Sequence, residues 1–479
     1  MPHLWDLFAR QLRERPDAVA LDVPEGRFTC AQLGGAALAV SRSLRNSEEA
    51  FVGLCADRDL GTYAGLLGIL HAGKGYVPLP PHLPADRLRH MADAAGLRTI
   101  VGGKGTAGLP PDLLHGRTVI GAGPATFTDA PATEGPYAYM LFTSGSTGVP
   151  KGVPIGHAQV LAYVAHMQEQ LAATPGDGFT QLFELSFDLS VHDLFVCWAS
   201  GGTLLVPGRE QLMAPARYVQ EKQARHWFST PSTALLLERL RLLKPGAFPT
   251  LHTACFCGEP LPLRLAEAFQ GATPNARLFN LYGPTETTIA IMGYRLPREA
   301  PKDRRGIVSI GRPFPAANAR VTDEGELLIG GPQLAEGYWR DAERTATSFI
   351  TDTDGVPRYR TGDRVEHDAD GDLYFVERLD DQVKVRGHRV ELQEVAHVLR
   401  EATGAAFVEV LPHPVNDGIA LGLHAFLPED MEAQAVRVRE ACARALPEAV
   451  RPTLHFIPAL PLNASGKVDR GALRALLTT

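Results

Sequence analysis

The 479 residues include only six cysteines (Cys30, Cys55, Cys197, Cys255, Cys257 and Cys442), and they form neither a CxxC pair nor a His-rich spacing. Such scattering excludes a disulfide framework and a structural zinc site, and fits reduced thiols. Positive charge is also short: 47 Lys and Arg stand against 54 Asp and Glu, a net charge of −7. A general nucleic-acid partner is excluded, because neutralising phosphates needs clustered excess Lys and Arg. The start, "MPHLWDLFARQLRERPDAVAL", lacks the basic region, apolar core and small-residue cleavage site of a signal peptide. No apolar run approaches membrane-spanning length, so no membrane association and a cytoplasmic location are expected. Internal repeats and low-complexity linkers are absent as well.

What is present is length and apolar content. At 45% hydrophobic, 479 residues are too many for one compact core and predict two or three domains. From residue 50 to about 335, short apolar runs alternate with amphipathic stretches, as in "AFVGLCA" then "LGTYAGLLGILHAG" and "HWFST" then "PSTALLLERLRLL". That rhythm predicts α/β units with buried parallel strands. Between about 305 and 378 the sequence turns strand-rich, with Asp-Gly and Glu-Gly turn signals, and predicts a β-rich subdomain. After Asp380 the expected order is strand "QVKVRGHRVEL", helix "QEVAHVLREAT", strands "AAFVEVLPH" and "IALGLHAFLP", helix "AQAVRVREACARAL" and strand "LHFIPAL", a small α+β domain. The fold class is therefore α/β: an N-terminal core over 1–379 and a small, mobile α+β C-terminal domain over 380–479.

Residues 141–152, "LFTSGSTGVPKG", follow the buried run "YAYMLF". Gly, Ser and Thr after a strand offer amides and hydroxyls that converge on an anion, and Lys151 adds a mobile positive charge. The stretch Gly145 to Lys151 lacks the Walker A spacing, which disfavours a P-loop NTPase. A solvent-exposed turn accounts for the Gly and Ser, but not for Pro150 and Lys151 beside them. "GKGTAG", Gly103 to Gly108, fits G-x-G-x-x-G, yet Pro110 and Pro111 follow where a helix is required, so a plain loop is expected.

"NLYGPTETTIA" (280–290), "YRTGD" (359–363), "ERLDDQVKVRGHRVE" (377–391) and "NASGKVDR" (463–470) follow that loop in order. Together they resemble the adenylate-forming superfamily of acyl-CoA synthetases, luciferases and the adenylation domains of nonribosomal peptide synthetases. "GILHAGKGYVPLP" (68–80) and "FDLSVHDLF" (187–195) point to the last group. The resemblance implies that ATP and a carboxylic acid form an acyl adenylate and pyrophosphate, a reaction catalysed mostly by positioning and charge neutralisation. It assigns ATP binding to Thr143, Ser144, Gly145, Ser146, Thr147, Gly148 and Lys151, to Gly258, Glu259 and Pro260, and to Asn280, Tyr282, Gly283, Thr285, Asp363 and Arg378. Tyr282 matches the residue that stacks on adenine, and Asp363 the carboxylate that takes the ribose hydroxyls. Glu286 matches a Mg²⁺-associated carboxylate, a hard oxygen ligand suited to that ion. Lys467 matches the catalytic lysine, also in contact with substrate, and Asp380 the hinge about which the small domain turns. Where the family usually has Gly before the arginine, this chain has Glu377.

Asp188 matches the aspartate that pairs with the α-ammonium of amino-acid substrates; capping of the following helix is the competing reading. The remaining pocket positions by resemblance are Leu189, His192, Ser229, Cys255, Cys257, Leu281, Ile289 and Ala290. Cys255 and Cys257, two apart on an apparent strand, are expected to face one side as small lining thiols. The wall is mostly apolar and carries no further acid, so the expected substrate is a small neutral L-amino acid of the alanine, proline or serine class. Twelve residues follow Lys467, and a freestanding enzyme is expected that passes its aminoacyl group to the phosphopantetheine thiol of a separate carrier protein in natural-product biosynthesis. Arg437, Arg439 and Arg444 are a candidate docking patch for an acidic carrier, or equally a solvated helix face. The alternatives are a CoA ligase for a small carboxylic acid and a catalytically silent adenylate-binding protein; Lys151, Glu286, Asp363 and Lys467 argue against the second.

Overall fold

The computed structural model describes residues 3–126, 131–145, 150–405, 407–463 and 468–477. Its first sheet runs in the order Thr118–Gly121, Thr99–Gly102, Phe51–Cys55, Gly75–Leu79, Tyr137–Thr143 and Lys151–Gly156. All neighbours are parallel except the last pair. Phe51–Cys55 and Gly75–Leu79 are buried at every position, which is why their sequences are continuous apolar runs rather than alternating ones. The second, larger sheet has a parallel centre that includes Gly178–Thr180, His226–Ser229, Thr253–Phe256 and Arg277–Tyr282. One hydrophobic core joins the two sheets through the helices Leu4–Glu14, Cys30–Leu44, Leu60–His71, His157–Leu171 and Leu189–Ala199. The α/β expectation holds.

The β-rich segment forms an antiparallel sheet of Asn318–Val321, Glu326–Gly330, Pro357–His367, Phe349–Thr351 and Leu373–Arg378. It sets Asp363 directly across from Arg378. After Asp380 the hairpin Gln382–Val385 and His388–Glu391 leads into helix Leu392–Thr403, strands Glu409–Pro412 and Leu423–Pro428, helix Ala435–Ala445 and strand Thr453–Ile457. These elements close on a core of their own, drawn from residues between Val385 and Val450.

Two details differ from the sequence expectation. "IALGLHAFLP" is not one strand: Ile419–Ala420 joins the hairpin sheet and Leu423–Pro428 another, with the crossing at Leu421 and Gly422. An apolar run gives no sign of such a switch, because both halves are buried. "GKGTAG" is not a plain loop, since Lys104–Gly108 makes a 3-10 turn and Pro111 opens a four-residue helix at a position where a missing N–H costs nothing. Its glycines admit carboxylates. A Cβ on Gly103 would lie 2.3 Å from Asp59 Oδ2, and one on Gly105 2.6 Å from Asp57 Oδ2, an environment opposite to that of a phosphate.

The docking of the first helix carries a pH dependence. His3 caps that helix, its Nδ1 accepting the Trp5 N–H, and His157 Nδ1 accepts the Leu4 N–H. The two rings lie 3.6 Å apart, and both Nε2 atoms are buried without a partner. Burial lowers the pKa of His3 to about 4 and that of His157 to about 3. An unfolded histidine titrates near 6.5, so below that pH the unfolded chain binds more protons than the native one. Stability is therefore full above pH 6.5 and falls toward pH 4, by roughly 1.4 kcal/mol per pH unit for each histidine. In thermal unfolding between pH 7 and 4, His157→Gln should show a shallower loss than the parent.

Candidate active site

The antiparallel pairing of Tyr137–Thr143 with Lys151–Gly156 sets Lys151 opposite Thr143. Thr143 Oγ1 is buried without a partner, while Ser144 Oγ donates to the Arg389 carbonyl at 2.5 Å. Gly145 closes the described part of the loop; Ser146, Thr147 and Gly148 lie outside the described residues, as does Lys467. Lys151 Nζ donates to the Tyr338 hydroxyl at 2.9 Å and stands 3.5 Å from Glu286 Oε1. Burial lowers the pKa of Lys151, with Glu286 opposing.

Glu286 is fully buried in the 3-10 turn Thr285–Thr287. Its Oε1 accepts the Tyr338 hydroxyl at 2.9 Å, and its Oε2 accepts Arg389 Nη1 at 2.8 Å. Burial alone would raise its pKa, but Arg389 and Lys151 outweigh that and hold it near 2. A permanently ionised oxygen donor of this kind suits Mg²⁺, and here two side-chain cations balance it. Arg389 is a residue that sequence reasoning missed, although it stands inside the quoted "RGHRVE"; Tyr338 carried no signal at all.

A second group centres on Asp363. The Tyr282 hydroxyl donates to Asp363 Oδ2, and Arg378 Nη1 donates to Asp363 Oδ1 at 2.8 Å and to the Thr361 carbonyl at 2.7 Å. Arg378 Nε donates to Asp380 Oδ1 at 2.8 Å, which ties the expected hinge residue to the same network. Gly362 is required there: its φ is +67°, and a Cβ would come within 2.8 Å of Arg378 Nη2. Glu377 does not intrude, because it pairs across the strands with Arg364 at 3.0 Å. Tyr282, Asp363, Arg378 and Asp380 line a cavity of about 410 Å³ with Gly258, Glu259, Pro260, Asn280, Leu281 and Gly283. Glu259 has a structural task as well, accepting the backbone N–H of Ser232 at 2.8 Å and of Gly387 at 2.6 Å.

Asp188 stands at the N-terminal end of helix Leu189–Ala199 but makes no capping bond, which removes the capping reading. Its Oδ2 accepts the Ile289 N–H at 3.1 Å instead. That amide is aimed by two consecutive β-branched residues at positive φ, Thr288 at 58° and Ile289 at 71°. Strained backbone of this kind persists only where its surroundings enforce it, and it clusters at ligand sites. Burial raises the Asp188 pKa to about 6. A second cavity of about 490 Å³ is lined by Asp188, Leu189 and Cys257, by Thr143, Ser144, Tyr282, Gly283, Thr285, Asp363 and Arg378, and by His82, Arg87, Glu184, Lys384, Arg386 and His388.

The other expected pocket residues are not on that wall among the described residues. Leu281 lines the first cavity. His192 Nδ1 bonds the Tyr163 hydroxyl at 2.8 Å, and its ring packs 4.4 Å from Phe228. Ser229 Oγ accepts Trp227 Nε1 at 2.9 Å and donates to the Thr230 carbonyl at 3.0 Å. Cys255, Ile289 and Ala290 are buried. The thiols do not share a strand, which ends at Phe256; Cys257 has left it and sits 4.0 Å from the Ile289 carbonyl. Burial raises both thiols, Cys257 to about 12 and Cys255 further, so neither is a thiolate. Arg437, Arg439 and Arg444 are exposed on helix Ala435–Ala445.

Residues 8–339 match the family model described as AMP-binding enzyme. AMB antimetabolite synthetase AmbB of Pseudomonas aeruginosa is 36% identical over 98% of this chain, which spans 38% of that relative's length. D-alanine--D-alanyl carrier protein ligase of Staphylococcus aureus is 29% identical over 95% of each chain. Among solved structures, the Vibrio cholerae adenylation domain AlmE in complex with glycyl-adenosine-5'-phosphate is similar at a TM-score of 0.89, 26% identical, covering 99% of this chain and 97% of that one. No described helix is long and apolar enough to cross a membrane.

Proposed function

The chain belongs to the AMP-binding enzyme family of ATP-dependent adenylate-forming ligases, and from that premise we propose that it activates a small neutral amino acid as the aminoacyl adenylate and passes it to a phosphopantetheine thiol on a carrier protein. The observation that carries this reading is the buried Asp188 carboxylate on a cavity shared with Tyr282, Asp363 and Arg378. Beyond the Ile289 amide and the neighbouring Thr285 hydroxyl, the buried carboxylate has capacity left for an ammonium group. Such an ammonium would sit with its carboxylate turned toward the nucleotide residues. The neighbouring Leu189 and Cys257 offer no charge to a substrate side chain. A relative solved with glycyl-adenosine-5'-phosphate agrees with a small substrate.

In this mechanism Tyr282 stacks on adenine and Asp363, held in position by Arg378, takes the ribose hydroxyls. The loop from Thr143 to Lys151 holds the β- and γ-phosphates, and Thr143 Oγ1, buried without a partner, is a donor in waiting. Glu286 would hold Mg²⁺, which supplies charge neutralisation to the phosphates when bound. Lys467 bridges the substrate carboxylate and the phosphate ester as negative charge builds. Residues 380–479 turn as a unit about Asp380 between the half-reactions, which exchanges Lys467 for the hairpin Gln382–Val385 and His388–Glu391. The second cavity reaches Arg386 and His388 of that hairpin, a route for a thiol arm to the adenylate.

The test is ATP/pyrophosphate exchange across the twenty proteinogenic amino acids, D-alanine and propionate. Exchange with one or a few small neutral amino acids is expected. A clear preference for Arg, Glu or Trp would refute the pocket reading. Turnover with propionate but with no amino acid would favour the CoA-ligase alternative, which the thiol route also accommodates.

A further inference from the structure

We infer that His82 and Glu184 form the proton-accepting pair of the thiol half-reaction, His82 as the catalytic base and Glu184 as the residue that positions it. This rests on the thiol-acceptor reading above. His82 Nε2 lies 3.1 Å from Glu184 Oε1, and the two side chains remain 45% and 39% exposed. Both line the cavity that also holds Asp188, Gly258 and Lys384. No other part of the proposed chemistry uses them.

Glu184 is held firmly. Arg58 Nη1 donates to the carbonyls of Gln181 at 3.0 Å and Pro207 at 3.2 Å, and Nη2 to that of Leu182 at 3.3 Å, which pins the segment just before it. Ser186 Oγ donates to Glu184 Oε2 at 3.4 Å, leaving Oε1 for the imidazole. With Nε2–H given to Glu184, the neutral ring keeps an acceptor at Nδ1. The charged and titratable groups facing the pair are Asp57 and Arg209 around His82, Arg58 and His388 around Glu184, and Arg87 and Arg386 around His388. The hydrogen bond to Glu184 raises the pKa of His82, while burial lowers that of His388.

Competing bases fit less well. Asp188 is committed to the Ile289 amide and the substrate ammonium, and the Cys257 thiol is held protonated. His388 is mostly buried, with its ring edge on Phe187 at 4.9 Å. A pantetheine thiol titrates near 8.5, so at neutral pH only a few per cent is thiolate. The S–H bond breaks and its proton passes to His82 Nδ1; the sulfur attacks the adenylate carbonyl carbon, and the C–O bond to phosphate breaks with AMP leaving with the electron pair. The resulting imidazolium is stabilised by Glu184 and returns its proton to water through its exposed edge.

The experiment follows single-turnover transfer from preformed aminoacyl adenylate to D-pantetheine between pH 5.5 and 9.5, with hydroxylamine as a nucleophile that needs no base. The parent enzyme is expected to lose rate only below a pH near that of a histidine. His82→Gln should transfer roughly 100-fold more slowly at pH 7 and recover as pH rises through the thiol's own range, a loss much larger than any in hydroxamate formation. Glu184→Gln should shift the parent profile toward lower pH. An equal loss at every pH, or none, overturns the inference. Hydroxamate without any thioester from the parent overturns the thiol-acceptor reading itself, a separate result.

Discussion

Asp188→Ala is expected to cut amino-acid-dependent pyrophosphate exchange by about 30-fold to several thousand-fold, while propionate becomes the better substrate. The range converts the roughly 2 to 5 kcal/mol lost when one member of a buried charge pair is truncated. The alanine variant also strips the Ile289 N–H of its acceptor, so part of its loss is structural. Asp188→Asn separates the two effects, since an amide oxygen still accepts from Ile289 but carries no charge. It should keep the parent's thermal stability and show most of the alanine variant's loss. The pH dependence has a definite sign. With its pKa raised to about 6, the free-site carboxyl is protonated below that pH. The KM for the amino acid should therefore rise as pH falls through 6 in the parent and stay flat in the asparagine variant. An exchange rate in either variant within threefold of the parent would remove Asp188 from substrate recognition.

The elements were legible in the sequence wherever burial was uniform or strictly periodic. Runs such as Phe51–Cys55 and helix Leu392–Thr403 declare themselves because every position, or every third and fourth, answers to one core. The site was legible in part, and the division is physical. Asp363 and Arg378 meet as cross-strand partners, and Tyr282 and Asp188 stand at element ends, positions that a motif's spacing encodes. The pocket wall was less readable. Ser229 bonds its own chain neighbours Trp227 and Thr230, and His192 Nδ1 bonds Tyr163, 29 residues away, pairings that spacing does not announce. The strained pair Thr288 and Ile289 left no trace, since neither residue type advertises a positive φ. Glu377 is next to Arg378 in sequence yet takes a different partner, Arg364 rather than Asp363, because successive strand residues point to opposite faces.

Arg389→Ala is expected to slow thioester formation from preformed adenylate by about 150-fold to several thousand-fold while leaving pyrophosphate exchange within a few-fold of the parent. In the arrangement described, the Arg389 carbonyl takes the Ser144 hydroxyl, and its guanidinium takes Glu286 at 2.8 Å and Gln382 at 2.6 Å. Those are the groups through which the phosphate loop and Glu286 would hold the triphosphate and its cation. On the proposed mechanism the hairpin and a loaded triphosphate would exclude one another, which would assign the docked hairpin to the stage after pyrophosphate has left. Removing the guanidinium uncouples a buried ion pair, a change typically worth 3 to 5 kcal/mol, and that cost falls on the docked arrangement alone. A second readout tests the docking directly: tryptic cleavage after Lys384 and Arg386 should accelerate in Arg389→Ala. Arg389→Lys should recover less than half of the lost transfer rate, because a point charge can meet Glu286 but not Gln382 and Tyr359 at the same time. Equal losses in exchange and transfer, or unchanged proteolysis, would mean that Arg389 supports the fold rather than the alternation.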